Sequence, residues 1–290
     1  MNTPLAGVVI VHFGEVDPTL HCVASVCGDP SHFGRRVIVV DNSGNFEAEA
    51  PAAGVEVIHR PDNPGFGAAI NVGVAALEED RGISFYVVLN NDAVLGPGYL
   101  DAAADALEVG VGAAGGPIRD GLDSSKLWYA GGGVNFLTGT VRQQRFADNS
   151  GQGRDVGYIP ATAMAVSTTA WRDVGGFDER FFLYNEDLDL CLRLRRAGWR
   201  LRFEPDLESF HRLGASTGSA ERSPLYLENL TATRFLPFQS RLYRSYLGCL
   251  HTVYNSLRIL GLCARHTTRC APYVAAVARG HIRALSSVVD

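Results

Sequence analysis

Four short segments near the N-terminus constrain the fold most strongly. Each is rich in Val and Ile and ends in polar residues: GVVIVHFG (7–14), RVIVVDNSG (36–44), VEVIHRPDN (55–63) and ISFYVVLNND (83–92). Three of them are nearly continuous apolar runs, the pattern of strands buried on both faces of a parallel sheet. Stretches that can form helices, such as PTLHCVASVC and GFGAAINVGVAALEED, separate them. This alternation predicts a doubly wound α/β fold.

The sequence after residue 96 is less regular. Residues 110–165 are rich in Gly and contain short β-like pieces, which predicts a mixed or antiparallel extension of the sheet. A helical pattern follows around residues 185–197, then a strand and a loop, and the chain from about Ser223 onward has the pattern of amphipathic helices.

Bulk composition is that of an ordinary globular protein. The chain has 290 residues, of which 46% are apolar and 20% charged. We find neither a leader-like apolar segment nor a run of about 18 apolar residues, so we expect a cytoplasmic protein. The six cysteines lack C-x-x-C spacing, which favours free thiols over a zinc site.

Charge is divided unevenly along the chain. Residues 231–290 contain eight arginines and one acid, a net charge of +7, so the other 230 residues carry −12 within the total of −5. This predicts a basic C-terminal region on an acidic body. The region either lies on the inner face of a membrane, packs on the body, or forms a homodimer, and the sequence leaves these alternatives open. Nucleic acid is not an expected partner.

Polar side chains follow each of the four predicted strands. They are His12, Asp41 with Asn42, His59 with Arg60, and Asn90, Asn91 and Asp92. In doubly wound sheets ligands bind beyond the carboxyl ends of the strands, so these residues are candidates for a binding site. The alternative is that any strand leaves the core through polar residues.

Asp92 is a candidate ligand for a hard cation. A carboxylate directly after a buried strand suits Mg²⁺ or Mn²⁺, which prefer oxygen ligands and share them with substrate phosphates. The alternative is a simple turn, because Asn and Asp favour turns. His211, in FHRLGAST, is either a second metal ligand or a structural histidine.

The stretch RPDNPGFGAAIN follows the third strand and opens a helix. It matches neither G-x-G-x-x-G nor a P-loop, so a dehydrogenase or P-loop NTPase is not expected. Gly65 and Gly67 allow close backbone approach at the helix start, either to a nucleotide or within a tight turn.

Three acids, Glu186, Asp187 and Asp189, stand together before the later helix. If that helix begins near Asn185, Asp187 shares a face with the apolar residues three, four and seven positions on, and so points inward. Asp189 lies four residues before Arg193, which predicts a solvent-exposed helix pair. Glu186 is intermediate. The periodicity therefore singles out Asp187 as the candidate catalytic carboxylate.

Taken in order, the motifs resemble the family 2 glycosyltransferases with a GT-A fold. They are VVIVHFG, VVDNSG, NPGFGAAIN, VVLNND, GGFDERFFLYNEDLDLCLRLRRAGW and FHRLGAST, and together they span about residues 5–220. The nearest branch is the rhamnosyltransferase-like and galactofuranosyltransferase-like one. The resemblance implies a mixed, mostly parallel sheet flanked by helices. It implies a catalytic domain over residues 1–222, with a nucleotide-binding half to about 95 and an acceptor and catalytic half from about 96. Residues 223–290 would form the helical appendage.

The resemblance also implies an inverting, Mg²⁺- or Mn²⁺-dependent transfer from a UDP- or dTDP-sugar to an acceptor hydroxyl. The acceptor would be a lipid-linked glycan or a small molecule, in envelope glycan or natural-product glycoside synthesis. Asp187 matches the general base, Glu186 its neighbour, and Asp92 with His211 the metal ligands. The nucleotide site maps to His12, Phe13, Asp41, Asn42, Arg60, Asn63, Gly65, Asn71, Asn90 and Asn91. Asp41 is predicted to accept a hydrogen bond from the base or ribose.

Two rival functions compete with this interpretation. The reduced Asn-Asn-Asp motif, where the family carries D-x-D, is compatible with a catalytically weak or inactive sugar-nucleotide-binding partner. A nucleotidyltransferase would need a Gly-rich loop and a lysine after the first strand, and VHFGEVD provides neither.

Overall fold

The computed structural model describes residues 4–46, 54–79, 82–144, 151–211, 224–265 and 271–289. Its strands are β1 (Leu5–His12), β2 (Gly34–Asp41), β3 (Val55–His59), β4 (Ile83–Asn90), β5 (Ala93–Leu95), β6 (Val111–Gly115), β7 (Ile118–Asp120), β8 (Leu127–Tyr129), β9 (Gly132–Asn135), β10 (Thr140–Gln143), β11 (Arg154–Asp155), β12 (Ala163–Ser167), β13 (Arg200–Phe203) and β14 (Ser209–His211). Its helices are α1 (Val16–Cys27), α2 (Phe66–Leu77), α3 (Tyr99–Ala106), α4 (Thr168–Val174), α5 (Glu186–Arg196), α6 (Pro224–Ala232), α7 (Arg241–Arg265) and α8 (Ala271–Val289).

The main sheet has eight strands in the order β11-β13-β6-β12-β4-β1-β2-β3. Its half formed by β4, β1, β2 and β3 is parallel throughout. The register sets His12 opposite Asp41, and Asp41 opposite His59, so the carboxyl ends of these strands meet at one edge. The four predicted strands and the two predicted helices between them are confirmed.

Alternating side chains of the central strands face two separate core layers, as the two-residue period of a strand requires. Val8 and Ile10 of β1 pack with α1 and α3 on one face of the sheet. Val9 and Val11 pack with α2, α4 and α5 on the other face. Both faces of the sheet are therefore covered, which explains the nearly continuous apolar strands and confirms the doubly wound fold.

The other half of the main sheet is mixed. Strand β12 runs antiparallel to both β4 and β6, β13 runs parallel to β6, and β11 pairs antiparallel with β13. A separate hairpin of β9 and β10 leaves this half. The expectation of a mixed or antiparallel extension over residues 110–165 is confirmed.

A second, four-stranded sheet has the order β5-β14-β7-β8. Strand β14 runs antiparallel to β5, and the register sets His211 opposite Ala93. This pairing brings the segment after β4 next to a residue that lies more than a hundred positions later in the chain.

The predicted helical C-terminal region is formed by α6, α7 and α8. Helix α6 packs closely on α8, since a Cβ added to Gly280 would lie 2.4 Å from the carbonyl oxygen of Glu228. Helix α7 also contacts α8. Residues 212–223, where the predicted domain boundary falls, lie outside the described residues. None of the described helices combines the length and the apolar content that a membrane span needs.

Candidate active site

Asp41 lies at the carboxyl end of β2 and organises the loop that follows it. Its Oδ1 accepts hydrogen bonds from the backbone N–H groups of Ser43 (2.9 Å) and Gly44 (2.8 Å). Its Oδ2 accepts hydrogen bonds from the backbone N–H group of Phe46 (3.1 Å) and from His59 Nδ1 (3.0 Å). Burial alone would raise the pKa of Asp41, but these hydrogen bonds hold it below its ordinary value. The carboxylate is fully buried with both oxygens engaged. The hydrogen bond that Asp41 is predicted to accept from a base or ribose stays a prediction.

His12 and Asn91 belong to a second buried network at the same edge of the sheet. His12 Nδ1 lies 2.6 Å from Thr19 Oγ1, and its Nε2 lies 2.9 Å from Asn45 Oδ1. The Asn91 amide donates to the same Thr19 oxygen (3.1 Å) and to the carbonyl of Phe13 (3.3 Å). The structure thus brings His12, Phe13 and Asn91 together, with the Phe13 ring 44% exposed at the surface of the network.

The Gly-rich entry of α2 contacts protein. A Cβ added to Gly65 (φ +97°) would lie 2.3 Å from the carbonyl oxygen of Phe182, and one added to Gly67 would lie 2.9 Å from Cβ of Phe177. The Phe66 N–H already donates to that Phe182 carbonyl (3.1 Å). The close backbone approach therefore serves the packing of α2 on loop 177–182, and the nucleotide contact predicted for Gly65 stays a prediction.

Asn71 fixes the same loop from the second turn of α2. Its amide oxygen accepts from the N–H of Phe177 (2.9 Å), and its amide nitrogen donates to the carbonyl of Phe177 (2.9 Å) and to Glu179 (3.1 Å). These are contacts within the protein, and the nucleotide contact predicted for Asn71 stays a prediction. Because loop 177–182 leads into α5, this motif positions the helix that carries the three acids.

Three further predicted nucleotide residues lie along the sheet edge. Arg60 forms a two-point pair with Asp62, with nitrogen–oxygen distances of 2.9 and 2.8 Å. Asn63 adopts a positive φ of 45° in the turn after β3. Asn42 is buried, and its amide nitrogen lies 3.4 Å from the carbonyl of Gly65. Their roles with a nucleotide remain predictions.

A cavity of about 410 Å³ lies between the end of β4, the start of α5, the β9–β10 hairpin and α6. Of the predicted site residues, it is lined by Asn90, Glu186, Asp187 and His211. Those that the sequence did not indicate include Trp128, Gln143, Tyr158 and Arg234. The cavity therefore brings together the strand end and the acidic helix that the sequence pattern pointed to separately.

Asp187 enters this cavity from the first turn of α5. Its Oδ2 accepts a 2.5 Å hydrogen bond from the Tyr158 hydroxyl and a 3.4 Å one from the N–H of Ala161, and its Oδ1 accepts from the N–H of Leu188 (2.7 Å). Burial raises the pKa of Asp187, and these hydrogen bonds oppose that rise. Burial also raises the pKa of Tyr158, so the hydroxyl stays protonated and donates.

Glu186 is the protonated partner of Asp187 at neutral pH. Burial, and then the charge of Asp187, raise the pKa of Glu186 to about 8. Its Oε2 is buried, and no hydrogen-bond partner for it occurs among the described residues. Two adjacent carboxyl groups with separated pKa values are a common feature of acid–base sites. Asp187 is then the member that carries the negative charge.

Asp189 differs from its prediction. It pairs with Arg193 as expected, at 2.6 Å between Arg193 Nε and Asp189 Oδ2. However, its side chain is 6% exposed and that of Arg193 is 20% exposed, so the pair is buried rather than solvent-exposed. The physical reason is that α5 is covered on this side by α4, whose Val174 carbonyl accepts a further hydrogen bond from Arg193.

Asp92 and His211 form a contiguous pair beside the cavity. His211 Nε2 lies 3.0 Å from Asp92 Oδ1, both side chains are buried, and Trp128 packs against the imidazole ring. His211 Nδ1 is buried, and no hydrogen-bond partner for it is found in the described parts of the chain. The pairing of β14 with β5 explains why these distant residues meet.

This pair fits a divalent cation with two protein ligands. Asp92 and His211, held 3.0 Å apart, would both be able to hold such an ion. Carboxylate and imidazole together suit Mn²⁺. No cluster of three or more His, Cys, Asp or Glu side chains suited to a metal occurs within the described ranges.

The cavity residues that sequence reasoning missed lie in the irregular middle of the chain or just after α6. Tyr158 and Trp128 stand near strands too short to show periodicity, and Arg234 follows α6 in a region interpreted only as basic. An unusual local feature marks the approach to the site: Tyr184 and Asn185 have consecutive positive φ values of 68° and 66°. Such strained residues cluster at functional sites.

Residues 5–235 match the family described as "Glycosyltransferase like family 2". Because this match covers most of the chain, the protein belongs to the family 2 glycosyltransferases. An N-acetylglucosaminyl-diphospho-decaprenol L-rhamnosyltransferase from Mycobacterium tuberculosis is 32% identical over 231 residues, which cover 69% of this chain and 74% of that protein. The predicted rhamnosyltransferase-like branch is confirmed. The match also extends past residue 222 and includes α6 with its cavity residue Arg234.

Two solved structures share the fold. A structure of GalNAc-T7 with UDP, GalNAc and Mn²⁺ has a TM-score of 0.60 at 13% identity, covering 80% of this chain and 48% of that one. The mannosyltransferase PcManGT from Pyrobaculum calidifontis, in complex with GDP-Man and Mn²⁺, has a TM-score of 0.55 at 15% identity and covers 99% of this chain and 88% of that one. These similarities confirm the predicted GT-A fold.

Proposed function

We propose that the protein transfers a sugar, with inversion, from a nucleoside diphosphate sugar to an acceptor hydroxyl. The observation that carries the proposal is Asp187, a carboxylate that faces the same cavity as Asn90 of β4 and His211. Its pKa is raised, and the hydrogen bond from Tyr158 fixes its orientation. A correctly oriented carboxylate of raised pKa is a suitable general base for a hydroxyl nucleophile.

Asp187 removes the proton of the acceptor hydroxyl as attack proceeds. The acceptor oxygen forms a bond to the anomeric carbon from the face opposite the leaving group, and the bond from that carbon to the diphosphate oxygen breaks. The electron pair of the broken bond remains on the nucleoside diphosphate. One displacement of this kind inverts the anomeric centre, and no covalent intermediate with the protein is required.

A Mg²⁺ or Mn²⁺ ion held by Asp92 and His211 would neutralise the charge of the diphosphate leaving group. The contact between the two side chains, and the buried His211 Nδ1, support this assignment. Asn90, at the end of β4 and in the cavity wall, would contact the donor beside these two residues. Mn²⁺ is the first ion to test, because both solved structures of similar fold contain it.

We further propose a deoxyhexosyl donor on UDP or dTDP, and a hydroxyl acceptor carried by a lipid-linked glycan. The support is the relative whose name specifies an L-rhamnosyl transfer to a diphospho-decaprenol acceptor. A hexosyl donor and a small-molecule acceptor are the alternatives. The protein would then act at the inner face of the membrane.

The first experiment is isothermal titration with UDP, dTDP and GDP, each with and without Mn²⁺. Metal-dependent binding of UDP or dTDP is the expected result and selects the donors for transfer assays. If the folded protein binds none of the three, the donor assignment is wrong.

A second assay separates the enzyme from an inactive sugar-nucleotide-binding partner. Metal-dependent hydrolysis of the donor without acceptor is expected from the wild-type protein, and we expect it to be lost in Asp187→Asn. Tight nucleotide binding without hydrolysis or transfer by the wild type would support the binding protein instead.

A further inference from the structure

Helix α7 leaves a continuous apolar stripe in solvent. We define the α7 stripe as Leu242, Tyr246, Leu250, Val253, Leu257 and Leu260, side chains that are 37% to 86% exposed. Their spacing of four, four, three, four and three residues keeps them on one face of the helix. The opposite face, with Leu247, His251 and Asn255, is buried against the body. Within the part of the chain that the structure describes, the helix is therefore packed on one side and exposed on the other.

The tip of the β9–β10 hairpin extends this surface. Phe136 and Leu137 are 51% and 70% exposed. The hydroxyl of Tyr243 donates to the carbonyl of Phe136, and the hydroxyl of Tyr246 donates to that of Leu137 at 3.0 Å. The hairpin tip is thus fixed beside the N-terminal half of the stripe. Stripe and tip together are called the docking surface below.

The docking surface lies on the basic part of an otherwise acidic protein. Residues 231–290 carry a net charge of +7, whereas the rest of the chain carries −12 within the total of −5. Helix α7 contains no Asp or Glu. An anionic surface would attract this side of the molecule and repel the other, which orients it. A second copy docking through the same surface would bring two basic regions together.

The docking surface adjoins residues of the cavity wall. Gly139 and Thr140 of the hairpin line the cavity. Gly139 packs on α7, since a Cβ there would lie 2.7 Å from Leu247 Cδ1. Arg234, just after α6, lines the same cavity and contacts His251 of α7 at 3.2 Å. A molecule approaching from the docking surface therefore meets the cavity through the hairpin.

We propose that the docking surface binds an anionic membrane through the α7 stripe and the hairpin tip. Membrane binding presents the cavity to an acceptor whose hydrocarbon chain remains in the bilayer. The acceptor class rests on the proposed function, but binding to the membrane does not. An amphipathic helix with an apolar face and only cationic charges has the composition expected for interfacial binding.

The test is flotation of the full-length protein with vesicles, in the absence of any sugar nucleotide. Vesicles of phosphatidylcholine and phosphatidylglycerol in a 7:3 ratio are compared with pure phosphatidylcholine. We expect binding to the anionic vesicles, weakened by 0.5 M NaCl because charge contributes to it. In the variant Val253→Gln/Leu257→Gln we expect binding to fall about tenfold or more, because two apolar contacts are lost. Its matched control, Ser245→Gln/Ser256→Gln, alters exposed residues of the same helix outside the stripe and should bind as the wild type does.

Three results would overturn the proposal. The first is a wild type that binds neither vesicle, and the second is a stripe variant that binds as the wild type does. The third is a wild-type dimer in light scattering that the stripe variant converts to a monomer, which would identify a second copy as the occupant. Melting curves establish that each variant is folded. Titration with UDP or dTDP is run in parallel, so that loss of membrane binding and failure of the donor site are distinguished.

Discussion

The Tyr158 hydroxyl donates a 2.5 Å hydrogen bond to Oδ2 of Asp187 in the wall of the cavity. The tyrosine is buried, and burial raises its pKa well above the ordinary value, so it donates throughout the working pH range. A hydrogen bond to the charged form of a carboxyl group stabilises that form. Tyr158 therefore offsets part of the burial cost that raises the pKa of Asp187.

Tyr158→Phe should shift the pH dependence of turnover. Without the hydroxyl the pKa of Asp187 rises further, so the acidic limb of the pH–rate profile moves upward by about one to two pH units. The loss of rate should be largest at low pH and diminish as pH rises. The control is Tyr99→Phe, because the Tyr99 hydroxyl is buried and lacks a partner within the described residues. A uniform loss across the profile would assign Tyr158 a packing role alone.

Asp187→Asn should abolish turnover while leaving nucleotide binding intact. Removal of a general base typically lowers the rate about 10²- to 10⁴-fold, and Asp187 contacts no predicted nucleotide residue. The matched control is Asp189→Asn on the same helix, which weakens the buried pair with Arg193. That variant should lose about 1–3 kcal/mol of unfolding free energy but keep its turnover. Equal effects of both variants on turnover would argue against Asp187 as the base.

The stability of the Glu186→Gln variant relative to the wild type should increase as pH rises. The folded-state pKa of Glu186 is about 8, above the ordinary value of 4.5, so the unfolded chain releases this proton first. Stability from this group is therefore complete below about pH 4.5 and is lost as pH rises toward 8. Glutamine resembles the protonated form and does not titrate. Melting temperatures of both proteins from pH 5 to 9 measure the difference, which would stay constant if Glu186 were ionised throughout.

The parallel half of the fold could be predicted from the sequence because its signal is local. Strands β1, β2 and β4 contain nearly continuous apolar runs, and all four strands, β3 included, end in a polar residue at the same edge of the sheet. Helical spacing also predicted that Asp187 points inward; Asp187 does line the cavity, but Glu186 and Asp189 are more deeply buried than Asp187. These features depend on neighbours within a few positions, which a single sequence contains.

The second sheet and the hairpin could not be predicted in this way. The contact between Asp92 and His211 depends on the pairing of β5 with β14, two strands of three residues each that are too short to show a period. Burial of Asp189 depends on α4, an element earlier in the chain that packs against α5. The packing of Gly65 and Asn71 on loop 177–182 could not be predicted either, because the sequence does not show whether the partner of a close backbone approach is a ligand or a loop.

His211→Ala should weaken the metal-dependent part of nucleotide binding. If Asp92 and His211 hold the cation, loss of the imidazole should lower Mn²⁺ affinity in the presence of UDP or dTDP about tenfold or more. Binding of the nucleotide without metal should not change. The control is His32→Ala, which removes a surface histidine that lies 3.0 Å from Asp101, away from the cavity. Titration of Mn²⁺ into the three proteins gives the comparison, and unchanged affinity in His211→Ala would exclude this ligand.

Gly65→Ala tests whether the motif NPGFGAAIN supports α5. An added methyl group would lie 2.3 Å from the Phe182 carbonyl oxygen at a φ of +97°, so loop 177–182 must move. We expect a loss of about 2–4 kcal/mol in unfolding free energy, together with reduced turnover, because that loop leads into Glu186 and Asp187. Gly98→Ala is the control: Gly98 also precedes a helix at a positive φ of 78°, but its added methyl group meets nothing within 4 Å. Its cost should be about 1 kcal/mol, with turnover unchanged. Chemical denaturation and transfer assays on both variants measure the two effects. If Gly65→Ala lost nucleotide affinity but kept its stability, the glycine would contact the nucleotide, and the scaffold role assigned to the motif would be wrong.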